Sequence, residues 1–277
     1  MFLNKEEKKR IALLIEYDGT NLVGWQKQNN GNSVQGEIEK AAKILFKKDC
    51  IIQAAGRTDA GVHALGQVAH MDIPLENKLS KKNNFYLVSA FNALLKKTNI
   101  KIKSIQNSSF EFNARFSATK RFYLYRFLSR SAPPTLLKNK VWHVRQKVDI
   151  KSMKKASIFL IGYHDFTSFR SISCQASSAL RTIDKITFEI HDDIIEMRIE
   201  AKSFLQNQVR IIAGSLIKVG TKIWKPEMIR NILKSKCRNL AGETAPAYGL
   251  YLEKVNYPET LIKPTWDSHF QSNECVG

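Results

Sequence analysis

The sequence predicts an α+β fold in which two similar subdomains each form a mostly antiparallel sheet covered by helices. Alternating apolar runs recur along the chain, and residues 183–190 and 194–201 are separated only by the turn His191-Asp192-Asp193, as in a β-hairpin. Segments with an apolar stripe of helical period lie between such runs. The order β-α-β-β-α-β of the first half is repeated loosely in the second, which favours this class over a doubly wound parallel sheet.

The first half contains four predicted strands and two predicted helices. Ser33 is predicted to cap the first helix, because a serine hydroxyl there accepts a hydrogen bond from the first helical turn. In the second helix, Val88, Phe91 and Leu95 lie on one face. The predicted strands are residues 11–17, 50–55, 67–73 and the run with Ile100, Ile102 and Ile105, and the predicted helices are residues 34–45 and 85–97.

The second half contains five predicted strands and three predicted helices. A long helix is predicted to start at Ser203 and to end before Gly220, since glycine is favoured just after a helix C-terminus. Pro226 suits the first turn of the following helix. Besides the hairpin, the predicted elements are strands at 121–128, 141–144 and 249–255 and helices at 151–161 and 227–233.

The predicted subdomain boundary lies near residues 104–109, where the first β-α-β-β-α-β pattern ends. The Pro133-Pro134 loop lies too far into the second half to be this boundary. We therefore predict an N-terminal subdomain at 1–106, a C-terminal subdomain at 107–258, and a tail at 259–277.

The chain is strongly basic. Its 277 residues include 44 Lys and Arg against 25 Asp and Glu, a formal net charge of +19, while the hydrophobic fraction of 43% is that of a globular protein. A lysine-rich proteome would explain part of this excess. However, residues 77–110 contain seven Lys and residues 112–148 contain nine Lys or Arg, and neither stretch has an Asp or Glu. A general bias would not remove acids from such long stretches, so we favour a nucleic-acid partner.

The cysteines and apolar runs argue against several classes of protein. The four cysteines lie far apart, without a C-x-x-C pair or a Cys/His cluster, which is unlike a zinc site or a disulfide framework. The first ten residues are charged and lack the apolar core of a signal peptide. No apolar run approaches the roughly 20 residues that a membrane-spanning helix needs. We expect a cytoplasmic protein that binds no metal and no membrane.

The loop Gly56-Arg57-Thr58-Asp59-Ala60-Gly61-Val62-His63-Ala64 is the first candidate for chemistry. It lies between two predicted strands, and its two glycines indicate a tight, specified conformation around one carboxylate. An ordinary turn whose Asp caps its own backbone is the alternative. Asp59 and His63 are four residues apart, but a loop with two glycines is not a helix face, so a metal site is not expected.

Aromatic and cationic side chains alternate on the strand that starts at Arg121. Tyr123, Tyr125 and Phe127 share one face, and basic grooves with aromatic platforms hold unstacked bases. A strand whose tyrosines belong to the core is the alternative. On the long helix, Arg210 is flanked by apolar residues, which suggests an ion pair, with Asp59 as the candidate partner.

Two further patterns carry no prediction of catalysis. His164-Asp165 is typical of a capping or turn pair, since no nucleophile motif accompanies it. The chain has no glycine-rich phosphate loop of the Walker or dinucleotide-binding type.

The remaining motifs complete a family pattern, in order and roughly in spacing, from residue 11 to about 258. They are Tyr17-Asp18-Gly19-Thr20, Gly24-Trp25-Gln26, Val34-Gln35, Asn113-Ala114-Arg115-Phe116-Ser117-Ala118, Arg121 with Tyr123 and Tyr125, Asp165-Phe166-Thr167-Ser168-Phe169-Arg170, Cys174-Gln175, Val209-Arg210 with Gly214, and Ala245-Pro246-Ala247-Tyr248-Gly249-Leu250-Tyr251-Leu252. Together with the Asp59 loop, they resemble the tRNA pseudouridine synthase A (TruA) family. The pattern departs at Gln206-Asn207-Gln208, where the family often has histidines and a methionine, and in the tail after Pro258.

The resemblance implies an enzyme that isomerises uridine to pseudouridine at position 38, 39 or 40 of the tRNA anticodon stem-loop. Uracil is detached, rotated and rejoined through carbon, and no cofactor is required. The family's catalytic aspartate maps onto Asp59, which either attacks the nucleoside covalently or acts as a base on the ribose. The sequence leaves both routes open. The active-site cleft is expected between the two subdomains.

The resemblance also assigns roles to four side chains around the base. Arg57 is expected to fill the space that the flipped nucleotide leaves. Tyr123 is expected to stack on the base and to accept or relay a proton, and Arg210 to pair with Asp59 and keep it ionised. Leu250 would form an apolar wall of the uracil pocket.

The implied partners are tRNA and a second copy of the chain. In such a homodimer one tRNA lies across both subunits, and the acid-free stretches provide the wide positive surface that many phosphate contacts need. Arg115 and Arg170, within family motifs, are expected to bind the RNA. The competing hypotheses are a tRNA-binding protein without catalysis and a zinc-dependent base deaminase, and the missing Cys/His motif argues against the deaminase.

Overall fold

The computed structural model describes residues 7–262, which divide into two compact units. The first unit comprises residues 7–58, 64–119 and 255–262, and the second comprises 59–63 and 120–254. In this part of the chain, none of the helices combines the length and the apolar character that crossing a membrane requires.

The division between the units follows Thr119, whereas the sequence placed it near residue 106. The intervening segment packs within the first unit: Ala114 is buried, and its N–H donates to Nδ1 of the buried His70 over 3.1 Å. The loop segment Asp59–His63 groups with the second unit and not with the N-terminal residues around it. Most of the predicted tail, from residue 263 onward, lies outside the described residues.

The first unit has the predicted β-α-β-β-α-β order. Strand β1 is flanked by β3 and β4, β2 pairs with β3, and all three pairings are antiparallel. Ser33 caps α1 as predicted, since its Oγ accepts from the Gly36 N–H over 3.1 Å. The elements are β1 (Lys8–Tyr17), α1 (Val34–Phe46), β2 (Ile52–Ala54), β3 (His63–Pro74), α2 (Asn84–Leu94) and β4 (Ile100–Ser108).

The second unit places helices on a larger sheet. Its strands follow the order β10-β5-β9-β8-β7, and β6 pairs parallel with β5. The β5–β9, β8–β9 and β7–β8 pairings are antiparallel. The elements are β5 (Lys120–Ser129), β6 (Trp142–Val144), α3 (Ile150–Ser157), β7 (Gly162–Asp165), β8 (Leu180–His191), β9 (Ile194–Ala201), α4 (Gln208–Gly220), α5 (Glu227–Ser235) and β10 (Leu250–Asn256). The α+β class with mostly antiparallel pairing is confirmed.

Helix α4 is the centre of this unit's core. Ile211, Ile212 and Leu216 are fully buried, in one apolar cluster with the aromatic face of β5 and the inner face of β9. Gly214 allows the chain before β10 to approach closely, because a Cβ there would lie 1.9 Å from the Glu243 carbonyl oxygen. This close approach fixes the backbone that carries Ala245 against the first turns of α4.

Three predicted details of the second unit are wrong. The long helix starts at Gln208 and not at Ser203, because Asn207 adopts a left-handed backbone conformation with φ 61° that interrupts the helix. Gly220 lies inside the helix, where a Cβ would come within 2.7 Å of Met153 Sδ. Strand β7 was not predicted, although Asp165 at its end also makes the expected turn, its Oδ1 accepting from the Thr167 N–H over 3.0 Å.

Candidate active site

The segment Asp59–His63 forms a tight turn that is anchored inside the second unit. The Val62 N–H donates to the Asp59 carbonyl over 3.2 Å, and Gly61 has φ +79°, a conformation that favours glycine. Val62 is buried in the apolar cluster of this unit. Nε2 of the buried His63 lies 2.9 Å from the Asn139 carbonyl oxygen and 3.1 Å from that of Tyr248.

These contacts indicate which ring nitrogen of His63 carries a proton. Both partners of Nε2 are acceptors, so Nε2 carries the proton and donates. The ring stacks on Tyr251 with centroids 4.7 Å apart. His63 therefore holds the C-terminal end of the turn in place, and the turn presents the Asp59 side chain, which remains 41% exposed.

The Asp59 carboxylate pairs with Arg210, the partner that the sequence suggested. Arg210 Nη1 lies 3.3 Å from Asp59 Oδ2, and the arginine side chain is only 16% exposed. Two further acceptors hold the guanidinium: Nε donates to the Ala245 carbonyl over 2.7 Å, and Nη1 donates to Asn207 Oδ1 over 2.9 Å. The segment is thus a turn, which was the alternative to a catalytic loop, but the Asp59 carboxylate contacts Arg210, 151 residues away in sequence.

Tyr123 on β5 interacts electrostatically with Asp59 and Arg121. The pKa of its phenol is raised to about 12, mainly by burial; Arg121 opposes this shift, and the Asp59 carboxylate contributes to it. Its ring packs edge-on against Phe204, with centroids 5.2 Å apart. Tyr123 is therefore a neutral phenol at physiological pH, half-buried beside the carboxylate.

Tyr125, two residues further along the same face, belongs to the core. It is fully buried, its hydroxyl donates to the Pro246 carbonyl over 2.8 Å, and burial raises its pKa well above the ordinary value. Gly249 makes room for the ring, because a Cβ there would lie 2.7 Å from Cζ of Tyr125. Leu250, the next residue, is buried in the same apolar cluster. Tyr125 thus fits the core alternative for the aromatic strand, whereas Tyr123 remains partly exposed.

The other three arginines predicted for the site have different surroundings. Arg57 is an exposed residue of the first unit. Arg115, also exposed and in that unit, has its guanidinium carbon 5.3 Å from the centroid of the Phe116 ring. Arg170 is in the second unit with Asp59, and its Nη1 donates to the Ala176 carbonyl over 3.3 Å.

Sequence reasoning missed Asn207 and the anchoring role of His63. Asn207 lies in the Gln206-Asn207-Gln208 stretch that departs from the family pattern, which was the available signal. His63 was considered only as a metal ligand. Its contacts with backbone carbonyls of Asn139 and Tyr248 have no local signature in the sequence.

One group of side chains in residues 7–262 has the composition of a metal site. Ligand atoms of Glu189, His191 and Glu196 lie within 4.8 Å of one another near the β8–β9 turn. Arg198 already compensates both carboxylates, with Nη1 2.9 Å from Glu189 Oε2 and Nη2 2.7 Å from Glu196 Oε2. We interpret this group as part of an ion-pair network on the sheet.

Comparison with known proteins identifies the family. A family model described as tRNA pseudouridine synthase matches residues 13–117 and 156–258. The chain belongs to the tRNA pseudouridine synthase family. The protein is therefore an isomerase that forms pseudouridine in tRNA.

Curated relatives agree over almost their entire length. The chain is 44% identical over 250 residues to the tRNA pseudouridine synthase A of Sinorhizobium medicae, which covers 90% of this chain and 99% of the relative. It is 43% identical over 251 residues to the proteins of the same name from Brucella ovis and Brucella abortus, covering 90% of this chain and 98% of each. A crystal structure of a Cbf5-Nop10-Gar1 complex overlaps 75% of this chain and 45% of that one, with a TM-score of 0.32 and 13% identity, which is too weak to carry an argument.

Proposed function

We propose that this synthase acts on the anticodon stem-loop of tRNA, at position 38, 39 or 40, and that Asp59 is its catalytic residue. The observation that carries the second part is the contact between Asp59 Oδ2 and Arg210 Nη1, at 3.3 Å. It joins a carboxylate that solvent and substrate can reach to a largely buried cation. In this arrangement the positive charge of Arg210 faces the carboxylate on which either route depends.

The reaction breaks the bond between N1 of uracil and C1′ of ribose and forms a bond from C5 to C1′. The proton on C5 is lost and N1 gains one, so no redox step occurs. Asp59 either adds to the nucleoside and is later displaced, or removes a ribose proton while the glycosidic bond breaks and returns it when C5 bonds to C1′. Arg210 compensates the charge on the carboxylate in both routes.

The remaining side chains of the second unit form the surroundings of the base. Tyr123 offers a ring for stacking and a neutral hydroxyl, because its raised pKa of about 12 keeps the proton on the phenol. Leu250 is buried in the apolar cluster and supplies an apolar wall. A base that leaves its stack loses a few kcal/mol of stacking and pairing, and these two contacts offset part of that cost.

We assign the other arginines to the RNA. Arg57 is exposed two residues before Asp59 in the chain, where it can occupy the space that a flipped nucleotide leaves. Arg115 and Arg170 provide cations for phosphates. The net charge of +19 fits a tRNA held at many phosphates, and we extend the proposal to a homodimer that works in the cytoplasm with tRNA across both subunits.

The proposal is tested with Asp59→Asn and tRNA carrying 5-tritiated uridine, since C5 loses its hydrogen only when pseudouridine forms. Wild type is expected to release tritium, and Asp59→Asn to release none above background. Asp49→Asn is the matched control, because Asp49 is 80% exposed and pairs with Lys43 at the surface. It should release tritium as wild type does.

Equal release from wild type and Asp59→Asn would overturn the assignment of Asp59. No release from wild type, with tRNA still bound, would favour a binding protein without catalysis. Transcripts changed singly at positions 38, 39 and 40 identify the uridines used, and full release from a transcript that lacks all three would contradict the proposed sites.

A further inference from the structure

Asn207 occupies an unusual place at the start of α4. Its backbone is left-handed, with φ 61° and ψ 5°, and its carbonyl already accepts the Ile211 N–H over 2.9 Å as the first bond of the helix. An asparagine at this position ordinarily turns its side chain onto the N–H groups of the first helical turn. Asn207 makes no such capping hydrogen bond. Its amide oxygen accepts a hydrogen bond from a side chain instead.

The amide oxygen of Asn207 is bonded to the arginine that pairs with Asp59. Arg210 Nη1 donates to Asn207 Oδ1 over 2.9 Å, and the same nitrogen lies 3.3 Å from Asp59 Oδ2. Nε is fixed on the Ala245 carbonyl at 2.7 Å. The guanidinium therefore has two contacts shorter than its contact with the carboxylate, one at each end of the fork, and these two contacts set its position.

We propose that Asn207 is a positioning residue for Asp59, acting through Arg210. A planar guanidinium held only at Nε can still rotate about its long side chain, and a second fixed contact at Nη1 removes that freedom. The neutral amide accepts a hydrogen bond without taking up the positive charge, so that charge remains available to Asp59. This inference rests on the proposed role of Asp59.

A purely conformational role is the competing explanation for this asparagine. Asn tolerates a left-handed backbone better than most residues, so it could be present for the turn alone. The substitution Asn207→Gly separates the two explanations, because glycine adopts the same backbone freely but has no amide. A conformational role predicts an unchanged enzyme, and the positioning role predicts a slower one.

A second substitution changes the charge and keeps the shape. Asn207→Asp retains an oxygen acceptor for Nη1 but places a second carboxylate on the nitrogen that faces Asp59. Among the charged and ionisable neighbours, Tyr123 interacts electrostatically with Asp59 and Arg121, and Tyr125 interacts with Arg210, Glu243 and Tyr248. None of them is altered in the variant. The added negative charge favours the protonated form of Asp59, so the acid limb of the rate profile should move to higher pH.

The experiment measures single-turnover pseudouridine formation and tRNA affinity between pH 5 and 9 for both variants. For Asn207→Gly we expect the rate constant to fall about 10- to 100-fold, as for the loss of a hydrogen bond to a charged group, with tRNA affinity unchanged within about twofold. For Asn207→Asp we expect a lower rate at acidic pH that recovers toward the wild-type value as the pH rises. Asp192→Gly is the matched control, since it makes the same backbone exchange at φ 53° in the exposed β8–β9 turn.

Each outcome decides the proposal. A wild-type rate in Asn207→Gly overturns it, as does an equal loss in both variants with an unshifted pH profile, which would indicate general damage. A loss confined to tRNA affinity also overturns it. Failure of the proposed function is distinguishable, because wild type itself would then form no pseudouridine, or Asp59→Asn would remain active.

Discussion

At the scale of single residues, Tyr123 and Tyr125 lie on the same face of β5 but have different environments. Tyr125 is enclosed, with its hydroxyl on the Pro246 carbonyl at 2.8 Å, and contributes to the core. Tyr123 is half-buried near Asp59 and has a pKa of about 12. The spacing of two residues placed both rings on one face, but only the position of each along the strand decides which ring can meet a substrate.

The raised pKa of Tyr123 predicts a pH dependence of stability. The phenol keeps its proton more tightly in the folded state, where its pKa is about 12, than in the unfolded chain, where it is about 10. The resulting stabilisation is fully present below pH 10 and is lost as the pH rises toward 12. Tyr123→Phe cannot ionise, so its free energy of unfolding should fall less between pH 9 and 11, as measured by urea unfolding.

The control for Tyr123→Phe is the same substitution at a tyrosine that stays exposed to solvent in the folded protein. Tyr163 is 66% exposed, so Tyr163→Phe should keep the wild-type pH dependence. Parallel curves for wild type and Tyr123→Phe would show that Tyr123 is not desolvated.

At the level of elements, α4 and the chain before β10 act as one support for the ion pair. Gly214 and Gly242 let the two backbones touch, and the Gly242 N–H donates to Ser215 Oγ over 2.9 Å. The Ala245 N–H donates to the Arg210 carbonyl over 3.2 Å, while the Ala245 carbonyl accepts from the Arg210 side chain. The position of the guanidinium therefore depends on how closely these two elements pack.

Gly214→Ala should damage this support. Its Cβ would lie 1.9 Å from the Glu243 carbonyl oxygen, so the backbones must separate. We expect a loss of about 1 to 3 kcal/mol in the free energy of unfolding, typical of overpacking, together with a lower rate of pseudouridine formation in the protein that remains folded. Circular dichroism in urea and tritium release measure the two effects.

Gly36→Ala provides the control for a glycine-to-alanine change in a helix. Its Cβ would meet Ser33 Oγ at 3.0 Å and a Lys27 side-chain carbon at 3.8 Å, so the neighbours need to yield far less. It should cost less stability than Gly214→Ala and leave the rate unchanged. Wild-type stability in Gly214→Ala would contradict the close packing of α4.

The elements that the sequence predicted well are those with local signals. Ser33 and the apolar spacing behind it are sufficient to place the start of α1. The start of α4 was predicted five residues too early, because the apolar stripe continues back to Leu205 while Asn207 leaves the helical conformation. The contact of Ala245 with Arg210 spans 35 residues and depends on close backbone approach, for which a single sequence has no pattern.

At the scale of the whole molecule, the net charge of +19 predicts that the affinity for tRNA depends on salt. A protein that neutralises several phosphates releases counterions, so the logarithm of its binding constant falls linearly with the logarithm of the salt concentration. If six or more phosphates are contacted, we expect tRNA affinity to fall about 10³-fold or more between 50 and 200 mM salt. Filter binding of labelled tRNA over this range measures the slope.

Asp59→Asn separates binding from catalysis in this experiment. Because it changes one carboxylate and none of the cations, its salt slope should match that of wild type, while we expect its rate of pseudouridine formation to fall to background. An affinity that stays flat between low and moderate salt would contradict an extended basic surface.

The grouping of Asp59–His63 with residues 120–254 has a consequence for folding during synthesis on the ribosome. Asp59 and Arg210 are 151 residues apart, and synthesis at about 5 to 20 residues per second separates their appearance by roughly 8 to 30 s. The N-terminal strands can pair during this interval, but the Asp59 carboxylate has no Arg210 to pair with until that residue has been synthesised. Interrupted translation before Arg210 therefore leaves fragments that cannot form this ion pair, and on the mechanism proposed above we expect such fragments to be inactive.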